Sequence, residues 1–457
     1  MYDLATYYII QGIIMVPRFV IRKESFGGII YDRSSFQFYT IDCDAYQILY
    51  DIKLYGRNYA QEKYQNHFEI EEYINDLCEI GLNNTNIIEA KIIDEIAPIN
   101  ALSMPIKVYL TVTDKCNLRC KHCFGAFGKG YEMSVQQVEH ILDQLEVSGV
   151  CQIGLTGGEP FCHPNIFEII KMIVNRGFTL QTTTNGTLIN QNFIDAFKEY
   201  GSSCFRLSIS FDGIPAIHDS IRGRGTFDRA MAGVKILQSN NINFAFNTVI
   251  TNQNYSSLED FLNIMLENGM ENGSFSLIAP TGRAKNNEQL LFNISSEDFD
   301  DIIHHVKSCI RNFAAKTGKP QYMTGAFIQP DGREIFDSSV EVARELGIKR
   351  CSAGVYIATI CADGTVIPCI YLLDILKDLN LKPLSMFNCS LSTIWNTSEQ
   401  FLFARSLKLH EHCSSCSYYN ANECTGGCPA VSYYYFNDIN MYSPYCKGAR
   451  KQISGEA

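Results

Sequence analysis

The sequence has no uninterrupted apolar run approaching the roughly 20 residues that cross a bilayer. Its opening, Met1 to Pro17, has no basic stretch leading into a cleavable apolar core. The chain therefore reads as cytoplasmic, with no membrane partner. It is also short of positive charge, with 38 Lys and Arg against 49 Asp and Glu and a net charge of -11. No basic stripe alternates with aromatics, so nucleic acid is not an expected partner. What remains is a chain of 457 residues, 46% hydrophobic, long enough for two or three domains with their own cores.

Cysteine is what the sequence has in excess, 18 in all. In a cytosolic chain of this size disulfides are rare, and clustered thiols more often hold metal. One group lies at Cys116 to Cys123 and a second runs from Cys351 to Cys446. Cys43, Cys78, Cys151, Cys162, Cys204, Cys309 and Cys389 are scattered and read as small buried hydrophobes.

The first hundred residues alternate in short runs, Phe19 to Arg22, Gly28 to Tyr31 and Phe36 to Ile41, and then turn helical. Ala45, Ile48, Leu49 and Ile52 share one helix face, as do Ile70, Tyr73, Ile74 and Leu77, and Gly81 is a stop. From Ile106 strand-like runs alternate with helical stretches, the pattern of parallel βα units. Six strands are expected: Ile106 to Thr113, Gln152 to Thr156, Thr179 to Thr184, Phe205 to Phe211, Asn243 to Ile250 and Ser274 to Ala279. The fold class is thus α/β, a partial (β/α)6 TIM-type barrel, with chemistry at the carboxyl ends of its strands. A small α+β domain precedes it over residues 1–100, and a cysteine-rich module follows the barrel (101–330) over residues 331–457.

Directly after the first barrel strand, Cys116, Cys120 and Cys123 have a CxxxCxxC spacing. Three thiolates on one loop can ligate three irons of a cubane cluster and leave the fourth open. Zinc is the competing occupant, but it takes four protein ligands, and His122 is wedged between two of the cysteines. After the second strand come Gly157, Gly158, Glu159 and Pro160, either an ordinary turn or a close backbone approach to a ligand. Asn185 ends the third strand. Ser208, Ser210 and Asp212 share a face of the fourth, and Arg222 follows twelve positions after Ser210.

On these residues the chain resembles the radical S-adenosylmethionine (SAM) superfamily over roughly residues 104 to 330. The resemblance implies that Cys116, Cys120 and Cys123 hold a four-iron, four-sulfur cluster. Gly157, Gly158 and Glu159 would meet the methionine end of SAM, and His122 would lie near the adenine. Asn185, Ser210 and Arg222 would complete the SAM site, with Arg222 and Ser210 taking the carboxylate and ribose. For Arg222 a surface salt bridge is the alternative.

The second group, with Asp363, Gly364 and Pro368 before Cys369, resembles the SPASM extension and its two auxiliary iron-sulfur clusters. That resemblance assigns Cys351, Cys369 and Cys428 to one cluster, and Cys413, Cys416, Cys424 and Cys446 to the other. Cys361 or an open iron would complete the first. Two structural zincs are the alternative. Residues 18 to 95 resemble the PqqD-like recognition element, a small winged-helix fold that docks the leader of a ribosomally made peptide. The residues that carry it are Arg22, Phe26, Gly27, Gly28, Tyr31, Asp44, Ala45, Leu77, Gly81 and Leu82. A leader would add a strand to an exposed sheet edge, with the strand from Gly28 to Tyr31 lining the groove. Deleting residues 1 to 95 would then weaken leader binding and spare SAM cleavage.

Together these resemblances imply a peptide-modifying radical SAM/SPASM maturase, similar to those acting on streptide-like or mycofactocin-type precursors. Reduction by a flavodoxin, ferredoxin or dedicated reductase would yield a 5′-deoxyadenosyl radical that takes a hydrogen atom from the peptide. A carbon-carbon or thioether cross-link, or loss of a carboxylate, would follow. The rival readings are an anaerobic sulfatase-maturing enzyme, a tetrapyrrole side-chain enzyme and a zinc-bound peptide scaffold without turnover.

Overall fold

The computed structural model of the chain describes residues 8–10, 13–15, 17–65, 70–79, 81–82, 87, 90–93, 101–125, 127, 130–200, 205–295, 298–323, 326–336, 351–420 and 426–446. A short ribbon, β1 (Tyr8–Ile10) with β2 (Ile13–Met15), comes first. An antiparallel meander follows, β3 (Phe19–Glu24), β4 (Gly27–Asp32) and β5 (Gln37–Asp42). After the helices Cys43–Tyr55, Arg57–Lys63 and Ile70–Glu79, β6 (Lys91–Ile93) pairs parallel with β3, giving the order β5-β4-β3-β6. Asp42 caps the first helix by accepting from Ala45 N at 2.8 Å. Its Ala45, Ile48, Leu49 and Ile52 face is buried with Phe19, Ile21 and Ile30 of the sheet. Gly81, at φ 85°, turns the chain out of the third helix.

The barrel strands are β7 (Lys107–Thr111), β8 (Gln152–Thr156), β9 (Thr179–Thr184), β10 (Phe205–Ser210), β11 (Ala245–Ile250) and β12 (Gly273–Leu277). Neighbours pair in parallel throughout, in chain order. Every strand expected from the sequence is present, within two residues at each end. The sheet then grows at both edges. β13 (Gln321–Met323) continues parallel beyond β12, and β14 (Ala326–Ile328) and β15 (Glu334–Phe336) fold back antiparallel. At the other edge β16 (Ile357–Ile360) pairs parallel with β7, followed by the antiparallel β17 (Thr365–Ile367) and β18 (Leu384–Ser385). The cysteine-rich end is therefore joined to the barrel by its first strand. Val108, Leu110, Ile153, Leu155 and Leu180 point into a common core with the surrounding helices, which explains the apolar runs.

The amino-terminal sheet docks under the amino ends of β7 to β9. Val20, Ile29, Tyr31 and Phe38 pack with Leu102, Ile106 and Cys151. Tyr31 Oη lies 2.5 Å from Thr179 Oγ1 and accepts from Gln152 Nε2 at 3.1 Å. Arg22, 2% exposed, ion-pairs with Glu24 at 2.6 Å and donates to the carbonyls of Met104, Pro105 and Gly149. Glu24 also accepts from Ser103 N at 2.7 Å.

Two expectations are corrected here. The strand over Gly28 to Tyr31 is interior, paired on both sides by β3 and β5, so the open edge next to it belongs to β5. Deletion of residues 1 to 95 would strip from the barrel an apolar face and the hydrogen-bond partners of Ser103, Met104, Pro105 and Gly149, so it cannot separate leader capture from barrel integrity. Arg22→Ala leaves the Glu24 carboxylate buried without its cation and is expected to lower the unfolding free energy by about 3–5 kcal/mol. Denaturant titration checks this against Lys285→Ala, which breaks a pair about 40% exposed on both sides and should cost about 0–1 kcal/mol.

Candidate active site

The cysteine loop occupies the carboxyl ends of the barrel strands, and every strand end around it supplies a clamp. From β8, Gly158 N donates to Thr113 O and Glu159 N to Lys115 O, both at 2.9 Å. Both glycines are demanded by this approach: a Cβ on Gly157 would stand 2.5 Å from Thr113 O, and one on Gly158 2.3 Å from Lys115 O. The close approach read from the paired glycines is thus, in this structure, an approach to the cysteine loop itself. The Glu159 carboxylate is buried and saturated by protein donors, accepting from Thr184 Oγ1 at 2.7 Å, Asn185 N at 2.8 Å and Phe161 N at 3.3 Å. Burial pushes its carboxyl upward. Asn185 in turn donates from Nδ2 to Asn117 Oδ1 at 2.8 Å, holding the loop between its first two cysteines.

The fourth strand end brings the tightest junction. Asp212 is fully buried, and its Oδ2 accepts from Arg222 Nε at 2.5 Å and lies 2.7 Å from His122 Nε2. Its Oδ1 accepts from Val249 N at 3.0 Å. Burial alone would raise this carboxyl, but Arg222 and then His122 hold it far below the usual carboxylate range. Facing an ionised carboxylate, His122 Nε2 carries a proton, while Nδ1 is buried and without a partner among the described residues. Arg222 is buried, which sets aside the surface salt bridge. Ser210 is buried at the end of β10. His218 Nδ1 accepts from Asp212 N at 3.2 Å, and burial followed by Arg222 pulls the His218 imidazole down to about 4.

A further clamp was missed at the sequence level. The turn after β12 runs under the loop: Arg283 Nε donates to Cys120 O at 2.9 Å, Arg283 N to Cys123 O at 2.8 Å and Asn287 Nδ2 to Lys121 O at 3.1 Å. Gly282, at φ +58°, sits where a Cβ would meet Phe124 O at 2.2 Å. The signal lay in position, because Gly282 and Arg283 follow a barrel strand as the other motifs do.

Cys116 is exposed, Cys123 partly buried and Cys120 buried. Cys120 feels Arg222 and Arg283, which ease a thiol that burial pushes up. Three thiols around one loop with two cations behind them are a donor set suited to an anionic thiolate cluster. Among the described residues, no three His, Cys, Asp or Glu side chains converge on a point suited to one metal ion.

In the carboxyl-terminal region Cys351, Cys361, Cys369 and Cys428 border one apolar cluster. Cys369 is within electrostatic reach of Cys351 and Cys428. Cys361 instead sits at the β16–β17 turn, its thiol beside Thr365 and Asp363, and burial pushes it up to about 11. Cys413 and Cys446 meet at a second cluster around Tyr442, with Cys416 one turn on. Cys424 lies outside the described residues. Tyr371, two residues after Cys369, touches Phe124 edge-on with ring centres 5.6 Å apart, so the two cysteine regions meet through these rings.

The signature of the Radical SAM superfamily matches residues 110–265, and that of the SPASM iron-sulfur cluster-binding domain matches residues 351–417. An uncharacterized protein of Methanocaldococcus jannaschii is 30% identical over 205 residues, 43% of this chain and 69% of its own. The chain belongs to the radical SAM superfamily, carries a SPASM domain and is an oxidoreductase-type enzyme. It is 28% identical to an AdoMet-dependent heme synthase of Methanosarcina barkeri, over 73% of this chain and 94% of that one. To a mycofactocin maturase of Mycolicibacterium smegmatis it is 26% identical, over 76% and 83%. The fold is shared with Streptococcus suis SuiB bound to its precursor peptide SuiA, at a TM-score of 0.70, 18% identity and coverage of 95% and 99%. Among the described residues, no helix is long and apolar enough to cross a membrane.

Gly282→Ala should displace the Cys123–Phe124 backbone and destabilise the protein by about 1–3 kcal/mol beyond the cost of its positive φ. Gly318→Ala, at φ +66° with nothing within 4 Å of the added Cβ, supplies that φ cost alone. The difference between their thermal unfolding midpoints reads out the clash.

Proposed function

We propose that this protein is a peptide-modifying radical SAM maturase. Cys116, Cys120 and Cys123 would hold a four-iron, four-sulfur cluster, with SAM bound beside it. The cluster and SAM, when bound, supply a 5′-deoxyadenosyl radical that takes a hydrogen atom from the substrate. Arg222 is held by Asp212 for the SAM carboxylate, with Ser210 beside it at the strand end. His122 Nδ1, unpartnered among the described residues, would meet the adenine. Gly157, Gly158 and Glu159 would meet the methionine end through their carbonyls, because the N–H groups of Gly158 and Glu159 are spent on Thr113 and Lys115 and the Glu159 side chain on Thr184, Asn185 and Phe161. Asn185 contributes by steadying Asn117.

Cys351, Cys369 and Cys428 would hold one auxiliary cluster, and Cys413, Cys416, Cys424 and Cys446 the other. Cys361, which borders the same apolar cluster, or an open site would complete the first. A flavodoxin, ferredoxin or dedicated reductase would deliver the electron in the cytoplasm. The leader of a ribosomally made precursor would dock along the open edge of β5, in the manner of a PqqD-like recognition element.

The observation that carries this reading is the match to SuiB over 95% of the chain, which takes in the amino-terminal sheet as well as the barrel. Similarity to the heme synthase spans 73% and favours a second reading, side-chain chemistry on a tetrapyrrole. Anaerobically reconstituted enzyme incubated with a synthetic precursor, encoded by a short neighbouring reading frame, should form 5′-deoxyadenosine together with a peptide of altered mass. A mass change in a porphyrin substrate with the peptide untouched would favour the second reading. Changing Cys116, Cys120 and Cys123 to Ala should abolish 5′-deoxyadenosine while iron elsewhere remains. Cys446→Ala should lower bound iron and the melting temperature of the carboxyl-terminal region, since cluster binding contributes folding free energy. Unchanged iron would remove Cys446 from the ligand set.

A further inference from the structure

Six parallel strands are ordinarily covered on both faces, yet one face of β7 to β12 is wet. Strand register and the two-residue pleat put Lys107, Tyr109, Gly154, Gln181 and Arg206 on that face, while Val108, Leu110 and Leu180 point to the covering helices. Tyr109 is 36% exposed and Thr183 and Arg206 are exposed. Most of the remaining positions on this face carry hydroxyls or amides, among them Thr183, Ser208, Asn247 and Ser274.

Along β7 to β12 this face holds two cations, Lys107 and Arg206, in a chain where acids outnumber bases 49 to 38, and the carboxylate that follows β10 on the same pleat, Asp212, is buried in its pairs with Arg222 and His122. Gly154 leaves room for the Tyr109 ring, which a Cβ there would approach to 2.6 Å. Lys107 Nζ reaches across β8 to donate to Gln181 Oε1 at 2.6 Å, 5.0 Å from the centre of the Tyr109 ring. Arg206 stands in register with Gln181, stacks on Phe36 at 3.9 Å and donates to Ser35 O at 3.2 Å. Among the described residues neither cation meets a carboxylate: Lys107 has a neutral amide, Arg206 a carbonyl and a ring.

We infer that this lumen seats a carboxylate of the substrate peptide between Lys107 and Arg206, with Gln181 Nε2 as a further donor. The inference rests on the peptide-maturase reading and adds the chemical class of the bound segment: an acidic side chain or a free carboxyl terminus. Two cations and an amide suit a carboxylate because each hydrogen bond is charge-assisted or directed, and no acid at this end of the face opposes it. From Lys107 to Thr111 the strand rises about 13 Å, so the anchored carboxylate lies about four extended residues from the cysteine-loop end.

The test uses full-length reconstituted protein with SAM and three octapeptide probes at low salt. One carries four Glu and is capped at both ends, the second is its capped Gln twin, and the third is the Gln twin with a free carboxyl terminus. The capped Glu probe or the free-terminus probe should bind roughly tenfold tighter than the capped Gln twin, and which of the two does so identifies the source of the carboxylate. Lys107→Gln should bring the preference within about twofold at unchanged melting temperature, and Lys107→Glu should reverse it in favour of the capped Gln twin. Equal binding of all three probes to the wild type, or a preference that survives Lys107→Gln, overturns the inference. Displacement of the best probe by a tetracarboxylate porphyrin at lower concentration than by the peptide itself would also overturn it. Peptide-independent 5′-deoxyadenosine formation is measured on the same samples. If it is normal, failure concerns the lumen alone; if wild-type protein lacks it, the radical SAM reading itself has failed.

Discussion

Residues 101–106 form the constraint on which the rest of the architecture depends. Leu102 N donates to Val355 O at 3.0 Å, and Ile106 N to Tyr356 O at 2.9 Å. The Leu102 carbonyl accepts from Trp395 Nε1 at 2.9 Å. On the other side, Ser103 binds Glu24, and the carbonyls of Met104 and Pro105 accept from Arg22. Six residues of irregular chain thus satisfy their polar groups against both the amino-terminal sheet and the cysteine-rich end. A buried segment without regular structure persists only when its backbone groups find such partners. The position of β7 follows from it, and with β7 the position of the cysteine loop.

This arrangement separates two tasks along the barrel axis. The cysteine loop lies at the carboxyl ends of the strands, while the amino-terminal sheet seals their amino ends through Tyr31, Phe36 and Arg206. Strands of five or six residues span about 17–20 Å. A peptide docked at β5, as proposed, would have to enter beside this seal and pass along the wet, hydroxyl-lined face of β7 to β12 to reach the cysteine-loop end.

The barrel was legible in the sequence because its strands are apolar on the helix-facing side and bounded by motifs, so Gln152 to Thr156 and Thr179 to Thr184 could be read to the residue. Long-range polar contacts were not legible. Arg22 carries part of the resemblance to a recognition element, yet its guanidinium is committed to Glu24 and to carbonyls more than 80 positions away. The strand from Gly28 to Tyr31 looks like any other alternating run, and only pairing shows that β5 takes the edge. Glu159 reads as a ligand because it follows two glycines, but two of the donors that occupy its carboxylate lie at the end of the next strand. Cys361 has the residue type of a ligand, and its neighbours Thr365 and Asp363 come from a hairpin turn that cysteine spacing does not encode.

Asp212 shows how one such hidden contact organises the reacting end. An ionised carboxylate taken wholly out of water is strongly disfavoured unless several donors surround it. Those donors come from the cysteine loop, from the helix end at Arg222 and from the backbone of β11, up to 90 positions from Asp212. Because His122 and Arg222 share the same oxygen, the cysteine loop cannot shift without moving the arginine. The backbone repeats the linkage, Lys121 N donating to Ile221 O at 2.9 Å. Movement of the thiols and movement of the guanidinium are therefore a single motion, and a ligand that grips Arg222 also fixes the loop that carries Cys120 and Cys123.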